Sequence, residues 1–322
     1  MPKPELAITP AISIHPNQLT TYALANWHPY KPARHENSLN NLTRNKHDGT
    51  LSKNAVKKLS RSTDYLLYLA QDKEVSLHHK AKAWKFKVAF ITLTLSSKQQ
   101  HSDKELKALF LNHFITQAKQ KWNVSRFVWR AEKQANGNLH FHILVDVFIP
   151  WYELRDVWNN IQNKLGYVDR YRANMKQWHN EGFRIRENLA QFWPVHKQKK
   201  AYESGKKNDF RSPNSTDIHS VRFVKDIRAY IKKYMSKKEK ELPIEGRIWG
   251  CSYDIASPEG ARSDIDSLIA SELGRLRNAP GVHAFEGDYF TCIEVTPDLL
   301  LKFECYLLHD LWLTYIKKFD SS

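Results

Sequence analysis

The segment that most constrains the fold of this chain lies between Phe127 and Asp146, where the sequence predicts a β-hairpin. The bulky run from Phe127 to Trp129 favours a strand. Asn136-Gly137 is a strong hairpin turn signal because both positions tolerate a positive φ. The predicted strands cover about 125–132 and 138–147, so this segment fixes an antiparallel pair within a larger sheet.

Alternation along the second strand separates an apolar face from a polar one. The apolar face, expected to pack in the core, consists of Leu139, Phe141, Ile143 and Val145. His140 and His142 lie on the opposite face together with Leu144. Glu132 on the first strand lies directly across from His140 if the loop has an odd number of residues, whereas an even loop would place it on the wrong face. The sequence leaves this register open.

Two imidazoles and one carboxylate on one sheet face would form an N,N,O site with open positions for water and phosphate oxygens. Such a site suits a divalent metal ion used in catalysis. The alternative is a His-x-His pair on a solvent-facing strand with nothing bound, which is common for so short a motif.

The composition points to a polyanionic partner. The chain has 322 residues and a formal net charge of +16, as expected for a protein that binds nucleic acid. Between Ala173 and Lys240, Lys and Arg outnumber Asp and Glu by more than two to one. We therefore expect the polyanion to bind along this segment.

Other sequence features indicate the cellular compartment of the protein and whether NTP hydrolysis drives its reaction. The three cysteines are far apart and form no Cys-x-x-Cys pair, which favours a reducing interior. No apolar run approaches the length of a membrane span, so we expect a cytoplasmic protein. The sequence has no phosphate loop of the G-x-x-x-x-G-K-[ST] type, so it has no recognisable NTP-driven motor.

The order of predicted elements indicates an α+β fold. Strands are predicted at 85–95, 125–132, 138–147 and 167–172, and amphipathic helices at about 103–122 and 151–165. Strand–helix–strand–strand–helix–strand is the split βαβ or ferredoxin-like plan, an antiparallel sheet with helices on one face. The other face, which carries His140 and His142, would be free for a ligand.

The flanking regions are expected to extend this domain, which we place at 85–252. Residues 1–84 read as an N-terminal helical arm: an extended or loosely packed stretch over 1–50 and a packing helix over 51–72. The polar, basic stretch 173–217 looks like an insertion or mobile loop. Residues 253–322 read as a mostly helical extension, with helices at 258–276 and 297–319 around a short strand at 289–295.

A second group of chemically active residues lies on a helix predicted over 218–240. Tyr230 and Tyr234 project from one face one turn apart, with Lys233 and Lys237 each three residues after a tyrosine. Tyrosine can act as a covalent nucleophile when a nearby lysine or metal ion stabilises its anion. The alternative is core packing on an amphipathic helix, with the lysines in solvent.

Three segments in this order resemble the rolling-circle replication initiators of the HUH endonuclease superfamily. They are the strand Phe90–Leu95, the segment from Glu132 to His142, and the helix with Tyr230, Lys233 and Tyr234. The paired tyrosines most resemble the initiators of microvirus-like single-stranded DNA phages and related plasmids. Gly246–Gly250 is similar to a segment that follows the tyrosine helix in those proteins.

The resemblance implies a metal-dependent nickase-ligase. His140, His142 and Glu132 would hold Mg²⁺ or Mn²⁺, and Tyr230 or Tyr234 would attack a phosphate of single-stranded origin DNA. The product would be a 5′-phosphotyrosine link and a free 3′-OH, and the other tyrosine would later close the circle without ATP. Host helicase, polymerase and single-strand-binding protein are the implied partners.

Further residues are assigned around this chemistry. Lys233 is expected to stabilise phosphate or tyrosinate charge, and Thr92 and Thr94 to support the fold or the site. The residues expected to contact the DNA backbone are Lys232, Lys237, Lys225, Arg228 and Arg222.

Two other classes of protein fit parts of this pattern. One is a mobilisation relaxase or a single-strand transposase of the same superfamily. Relaxases usually keep their tyrosine near the N-terminus and use a third histidine, so paired tyrosines placed after the histidines favour an initiator. The other is a non-catalytic module that binds single-stranded DNA or RNA, which would need neither the metal ion nor the tyrosines.

Overall fold

The computed structural model describes residues 8–25, 51–76, 83–221, 243–256, 261–287 and 290–320. The strands in these ranges are β1 (Ile8–His15), β2 (Gln18–Ala25), β3 (Lys73–Val75), β4 (Trp84–Phe86), β5 (Val88–Thr94), β6 (Phe127–Lys133), β7 (Leu139–Val145), β8 (Thr216–Val221), β9 (Trp249–Cys251), β10 (Ala261–Asp264), β11 (Ala284–Gly287) and β12 (Phe290–Glu294). The helices are α1 (Lys53–Leu69), α2 (Asp103–Leu106), α3 (Asn112–Trp122), α4 (Trp151–Asn163), α5 (Tyr167–Trp178), α6 (Glu187–Ala190), α7 (Val195–Lys207), α8 (Tyr253–Ala256), α9 (Ser267–Arg277), α10 (Pro297–Lys302) and α11 (Tyr306–Asp320).

The chain divides into two compact units, one of residues 46–256 and one of residues 1–45 with 257–322. We call them the central unit and the terminal unit. None of the helices in the described ranges is both long enough and apolar enough to cross a bilayer.

The central unit contains a five-stranded antiparallel sheet in the order β8-β5-β7-β6-β9. One face packs on α2, α3 and α4, and Trp158 of α4 meets Phe110, Phe114 and Phe141 edge-on. Leu139, Phe141, Ile143 and Val145 all belong to this core. The predicted α+β plan is confirmed, including the predicted apolar face of the hairpin.

The three helices predicted around this sheet are confirmed as α1, the α2–α3 helix and α4. Ser102 caps α2 through a capping box with Glu105. A π-helical turn at Lys107–Leu111 joins α2 to α3.

The hairpin loop has an odd number of residues, which places Glu132 opposite His140. Lys133 pairs with Leu139 and Glu132 with His140, which leaves the five residues 134–138 as the loop. The Gln134 N–H donates to the Asn138 carbonyl, and Gly137 takes a φ of 83°, where glycine has no steric penalty.

The strand predicted at 167–172 is wrong, because this segment is the start of α5. Tyr167, Tyr171 and Met175 recur at helical spacing, and a short aromatic run cannot be assigned to strand or helix by itself. Gly166 allows the helix to begin there with a φ of 72°.

The edge strand β8 takes the place of that strand and pairs with β5 through Val88–Val221 and Leu93–Thr216. Residues 218–221 are therefore a strand and not the start of the predicted helix. The rest of that predicted helix lies outside the described residues. The predicted mobile insertion at 173–217 contains the end of α5, then α6 and α7.

The polar face of the sheet is not free along its whole length, contrary to the prediction. Helix α1 contacts β6 and β9, and Ser62 of α1 lies 3.5 Å from the sulfur of Cys251. Cys251 pairs with Val128, and by alternation Val128 shares the face of Glu132. Helix α1 therefore covers one end of the face that carries the histidines.

The terminal unit has its own five-stranded antiparallel sheet, in the order β10-β1-β2-β12-β11. The expectation of a loosely packed N-terminus is wrong for residues 8–25, which form the β1–β2 hairpin. Ile12, Ile14 and Leu19 are buried there, and that alternation within a Pro- and Asn-rich stretch favours strands over an arm.

The C-terminal part of this unit follows the prediction in most elements. Helix α9 and the pair α10 and α11 are the two predicted helical stretches, and β12 is the predicted strand. Residues 261–264 form β10, where the first helix was expected to begin. Glu304, with a φ of 55°, lies in the break between α10 and α11.

Candidate active site

Glu132, His140 and His142 meet on the face of the central sheet opposite α2, α3 and α4. Oε2 of Glu132 lies 3.4 Å from Nε2 of His140 and 3.4 Å from Nε2 of His142. The imidazole centroids are 4.6 Å apart, and one donor atom from each of the three residues lies within 4.8 Å of the others. The structure thus brings together the three residues predicted as metal ligands.

A buried arginine, which the sequence analysis missed, completes the charge balance of this cluster. Arg130 is 1% exposed, and its Nη1 lies 3.3 Å from Oε1 of Glu132. It pairs with His142 in the ladder. Because Arg130 precedes Glu132 by two residues, strand alternation alone places it on the same face and could have identified it.

The Glu132 carboxyl is ionised in this environment. Burial alone would raise its pKa, since Glu132 is 4% exposed. Hydrogen bonds to His140 and His142 and the charge of Arg130 outweigh burial and hold the pKa of Glu132 well below its usual range. An ionised carboxylate is the form that binds a cation.

Thr92 orients one of the two histidines. Its hydroxyl lies 3.1 Å from Nδ1 of His142, across the β5–β7 ladder in which Thr92 pairs with His142. The hydrogen bond fixes the ring and leaves Nε2 directed at Glu132. Hydrogen bonds of this kind hold metal-ligating histidines in one orientation, which agrees with the supporting role expected for Thr92.

The donor set fits a divalent cation. Two atoms that share an ion at about 2.1 Å lie about 3.0–3.4 Å apart at octahedral to tetrahedral angles, and the cluster has 3.4 Å between Glu132 and each histidine. Two imidazoles and one carboxylate suit a first-row transition ion such as Mn²⁺, whereas Mg²⁺ prefers oxygen ligands.

A second ionic network fixes the strand end beside Glu132. Nζ of Lys133 lies 2.5 Å from Oδ1 of Asp103, and the Glu245 N–H donates to Oδ2 of Asp103 over 3.2 Å. Burial would raise the pKa of Asp103, but its bonds to Lys133, Gln99 and the Glu245 amide lower it overall. Asp103 therefore links the hairpin to the chain that leads into β9.

The remaining predicted site residues lie outside the described ranges. They are the predicted nucleophiles and their lysine, Tyr230, Tyr234 and Lys233, and the predicted DNA contacts Lys232, Lys237, Lys225, Arg228 and Arg222. Their roles stay predictions.

An antiparallel α+β sheet with this His/His/Glu cluster on one face is consistent with the core of an HUH-type protein. Residues 88–239 match the family model described as Replication-associated protein ORF2/G2P. The match begins at the first residue of β5, contains the whole cluster and extends past both predicted tyrosines. It supports a role in rolling-circle replication, and an initiator of replication would bind origin DNA. No curated protein and no solved structure shows significant similarity to the chain.

Proposed function

We propose that this chain nicks single-stranded origin DNA in a metal-dependent reaction and later rejoins it, as a rolling-circle replication initiator. The observation that carries the proposal is the buried Glu132–His140–His142 cluster within the segment that matches the replication family. Burying ionic residues costs desolvation free energy, and buried ionisable groups with shifted pKa values are concentrated at functional sites.

In this proposal Glu132, His140 and His142 hold Mg²⁺ or Mn²⁺, which would polarise the scissile phosphate and offset charge in the transition state. The hydroxyl oxygen of Tyr230 or Tyr234 attacks the phosphorus and loses its proton. The bond from phosphorus to the 3′ oxygen breaks, and that oxygen leaves as a 3′-OH after taking up a proton. The 5′-phosphate stays on the tyrosine, so the phosphodiester energy is retained and no ATP is needed. Lys233 stabilises the charge of the phosphate or the tyrosinate.

The positions of two edge strands support the tyrosines as nucleophiles. Val221 ends β8 at one edge of the sheet, and Trp249 begins β9 at the other edge. The cluster lies on β6 and β7, between these edges. Tyr230 and Tyr234 fall in the segment between these two strands, nine and thirteen residues after Val221, so both follow shortly in sequence after a strand of the same sheet.

The charge distribution supports DNA as the substrate. Residues 46–256 contain 40 Lys and Arg against 21 Asp and Glu, a net charge of +19. We place the DNA backbone along 173–240, with Lys232, Lys237, Lys225, Arg228 and Arg222 as contacts.

We keep 85–252 as the catalytic domain, 1–84 and 253–322 as extensions, and the bacterial cytoplasm as the location. Host helicase, polymerase and single-strand-binding protein are the proposed partners, and a phage or plasmid is the proposed replicon.

The proposal is tested with labelled single-stranded oligonucleotides tiled across the replicon, incubated with Mn²⁺ or Mg²⁺ and run on a denaturing gel. We expect a covalent protein–DNA adduct that requires metal, survives Tyr230→Phe or Tyr234→Phe alone, and disappears in the double variant. An adduct lost with one change would mean a single nucleophile. Tight binding without any adduct would reject the nickase and favour a binding module.

A further inference from the structure

A cavity of about 100 Å³ lies within the helical segment α5–α7 of the central unit, away from the cluster in sequence and in its lining residues. Its lining is mainly aromatic and basic, and includes Tyr171, His179, Phe183, Arg184, Arg186 and Tyr202. This is the segment predicted as a mobile insertion, and the proposed chemistry uses none of these side chains.

Flat rings form the walls of this cavity. The His179 ring is nearly parallel to those of Phe183 and Phe210, at interplanar angles of 12° and 8° and centroid distances of 6.2 and 6.1 Å. Tyr202 lies closer, at 4.6 Å from His179. Burial lowers the pKa of His179, and the charges of Arg186 and Arg184 lower it further, against the opposing effect of the hydrogen bond to the Gly182 carbonyl.

Phe210, which lines the cavity, and its neighbour Asp209 are held in a strained backbone conformation. Asp209 and Phe210 both have a φ of 56°, a region that costs free energy for residues with a side chain. The Asp209 carboxylate is held by ion pairs with Arg172 and Lys176. Strain of this kind persists where neighbouring contacts over-determine it and is often found at ligand sites.

The surroundings of the cavity favour a polyanion. From Tyr167 to Arg211 the chain has eleven Lys and Arg against five Asp and Glu. The guanidinium groups of Arg184 and Arg186 lie over the exposed Trp178 ring at 4.7 and 6.0 Å. Phe192 is 84% exposed nearby in sequence. Basic side chains interleaved with accessible aromatic rings are typical of proteins that bind single-stranded nucleic acid by stacking its bases.

The size of the cavity limits the ligand. Its volume is only a few times the roughly 30 Å³ that a water molecule takes up in the liquid. It is well below the roughly 300–1,000 Å³ of pockets for drug-sized ligands. A single small ring system is therefore the largest flat group that would enter.

We infer that this cavity binds one unpaired nucleobase of the single-stranded DNA, a pyrimidine by its size, while the surrounding arginines and lysines contact the adjacent phosphates. The choice of DNA rests on the proposed function. The inference adds a recognition site on the helical segment that is separate from the cleavage site.

The test fills the cavity from its rim. Ala201 is exposed on α7 and lines the cavity, so Ala201→Leu occupies the space with a good helix former. Ala173→Leu is the matched control, because Ala173 is exposed on α5 and is outside the lining. The probes are a fluorescent oligothymidine of twelve nucleotides and a strand of the same length in which every position is abasic. Binding of each probe is measured by fluorescence anisotropy.

We expect Ala201→Leu to bind the oligothymidine about 5- to 150-fold more weakly than wild type, the range for losing one stacked base. Its affinity for the abasic strand should not change, and Ala173→Leu should match wild type on both probes. Equal binding of the oligothymidine by Ala201→Leu and wild type would overturn the inference, and so would an equal loss on both probes.

A second measurement uses the wild-type protein and does not depend on how the variant folds. Photocross-linking of an oligonucleotide that carries 5-iododeoxyuridine should label peptides with Tyr202 or His179, and labels confined to other segments would overturn the inference. The two proposals can fail separately. If the covalent adduct forms but Ala201→Leu does not weaken oligothymidine binding, only the proposed base site is rejected. If Ala201→Leu weakens oligothymidine binding but no adduct forms, only the proposed nicking activity is rejected.

Discussion

The two five-stranded sheets of this chain have the same number of strands and the same antiparallel pairing, yet they bury different residues. On the central sheet, Arg130, Glu132 and His142 are buried. Among the described side chains of the terminal sheet, the buried strand residues are Ala11, Ile12, Ile14, Leu19 and Ile293. The charges differ as well. The central unit has a net charge of +19, and the terminal unit has ten Lys and Arg against thirteen Asp and Glu, a net charge of −3.

The difference shows that sheet architecture does not determine which residues a sheet buries. Among the strand residues of the terminal sheet whose side chains the structure describes, the buried ones are all aliphatic, which avoids the cost of desolvating ions. The buried ions of the central sheet depart from this pattern, as ionisable groups at functional sites often do. Among the described residues, the Glu132–His140–His142 group is the only cluster of three potential metal ligands.

The largest expected effect is the loss of a histidine from the cluster. His140→Ala should reduce adduct formation more than about 100-fold, beyond the 10–100-fold range of outer-shell partners, while most of the DNA affinity remains. Denaturing gels and anisotropy measure the two quantities. His15→Ala, on the terminal sheet, is the control and should behave as wild type. Unchanged cleavage by His140→Ala would remove the metal site from the reaction.

Removing the hydrogen bond that orients His142 should have a smaller effect. Thr92→Val keeps the shape of the side chain and should weaken Mn²⁺ binding about 10- to 100-fold, as measured by calorimetric titration. Thr20→Val, on the terminal sheet, provides the same chemical change away from the cluster. If both variants bind Mn²⁺ as wild type does, the ring of His142 is fixed by other contacts.

The Asp103–Lys133 pair should make stability depend on pH. The pKa of Asp103 is lowered by folding, so its stabilising contribution is complete above the ordinary Asp value of about 3.9 and is lost as the pH falls through the lower folded value. We expect Asp103→Asn to reduce the free energy of unfolding by about 1.5–3 kcal/mol at pH 7, with the gap narrowing below about pH 4.

Urea denaturation at pH 7 and pH 3 tests this expectation. Asp310→Asn changes an exposed residue of α11 in the terminal unit and serves as the control. If the difference in the free energy of unfolding between wild type and Asp103→Asn is the same at pH 7 and pH 3, the ion pair contributes no pH dependence to stability.

The smallest expected effect concerns the excess positive charge of the central unit. Lys199 and Lys200 are exposed on α7, and replacing both with Ala should weaken DNA binding modestly. If each contacts one phosphate, the plot of log affinity against log salt should become less steep by about 1.4. Lys302→Ala in the terminal unit should leave the slope unchanged. An unchanged slope for the double variant would place the DNA away from α7.

The sequence predicted the cluster because strand periodicity is strict. A strong turn at Asn136-Gly137 and an apolar alternation from Leu139 to Val145 leave open only whether the loop has an odd or an even number of residues. In the structure the number is odd, and Glu132 lies opposite His140. The same periodicity extends to Arg130, which lies two residues before Glu132 and therefore on the same face.

Other parts of the fold were beyond a local pattern. Tyr167–Arg172 is too short a stretch to distinguish strand from helix, and only the recurrence at Met175 indicates a helix. The pairing of β8 with β5 and the coverage of the polar face by α1 depend on contacts between segments far apart in sequence. The network of Asp103, Lys133 and Glu245 depends on such contacts too, and no single window of sequence contains its members.

The segment that joins β8 to β9 leaves the sheet at one edge and returns at the other, so it is anchored at both ends. In the proposed reaction, a DNA end linked to Tyr230 or Tyr234 would be confined with it, at an effective concentration on the order of millimolar or above relative to the cluster. Rejoining would then be an intramolecular event whose rate does not depend on how many protein molecules are present. One molecule could start a circle, keep hold of its end through a full round of synthesis and close it at the same site.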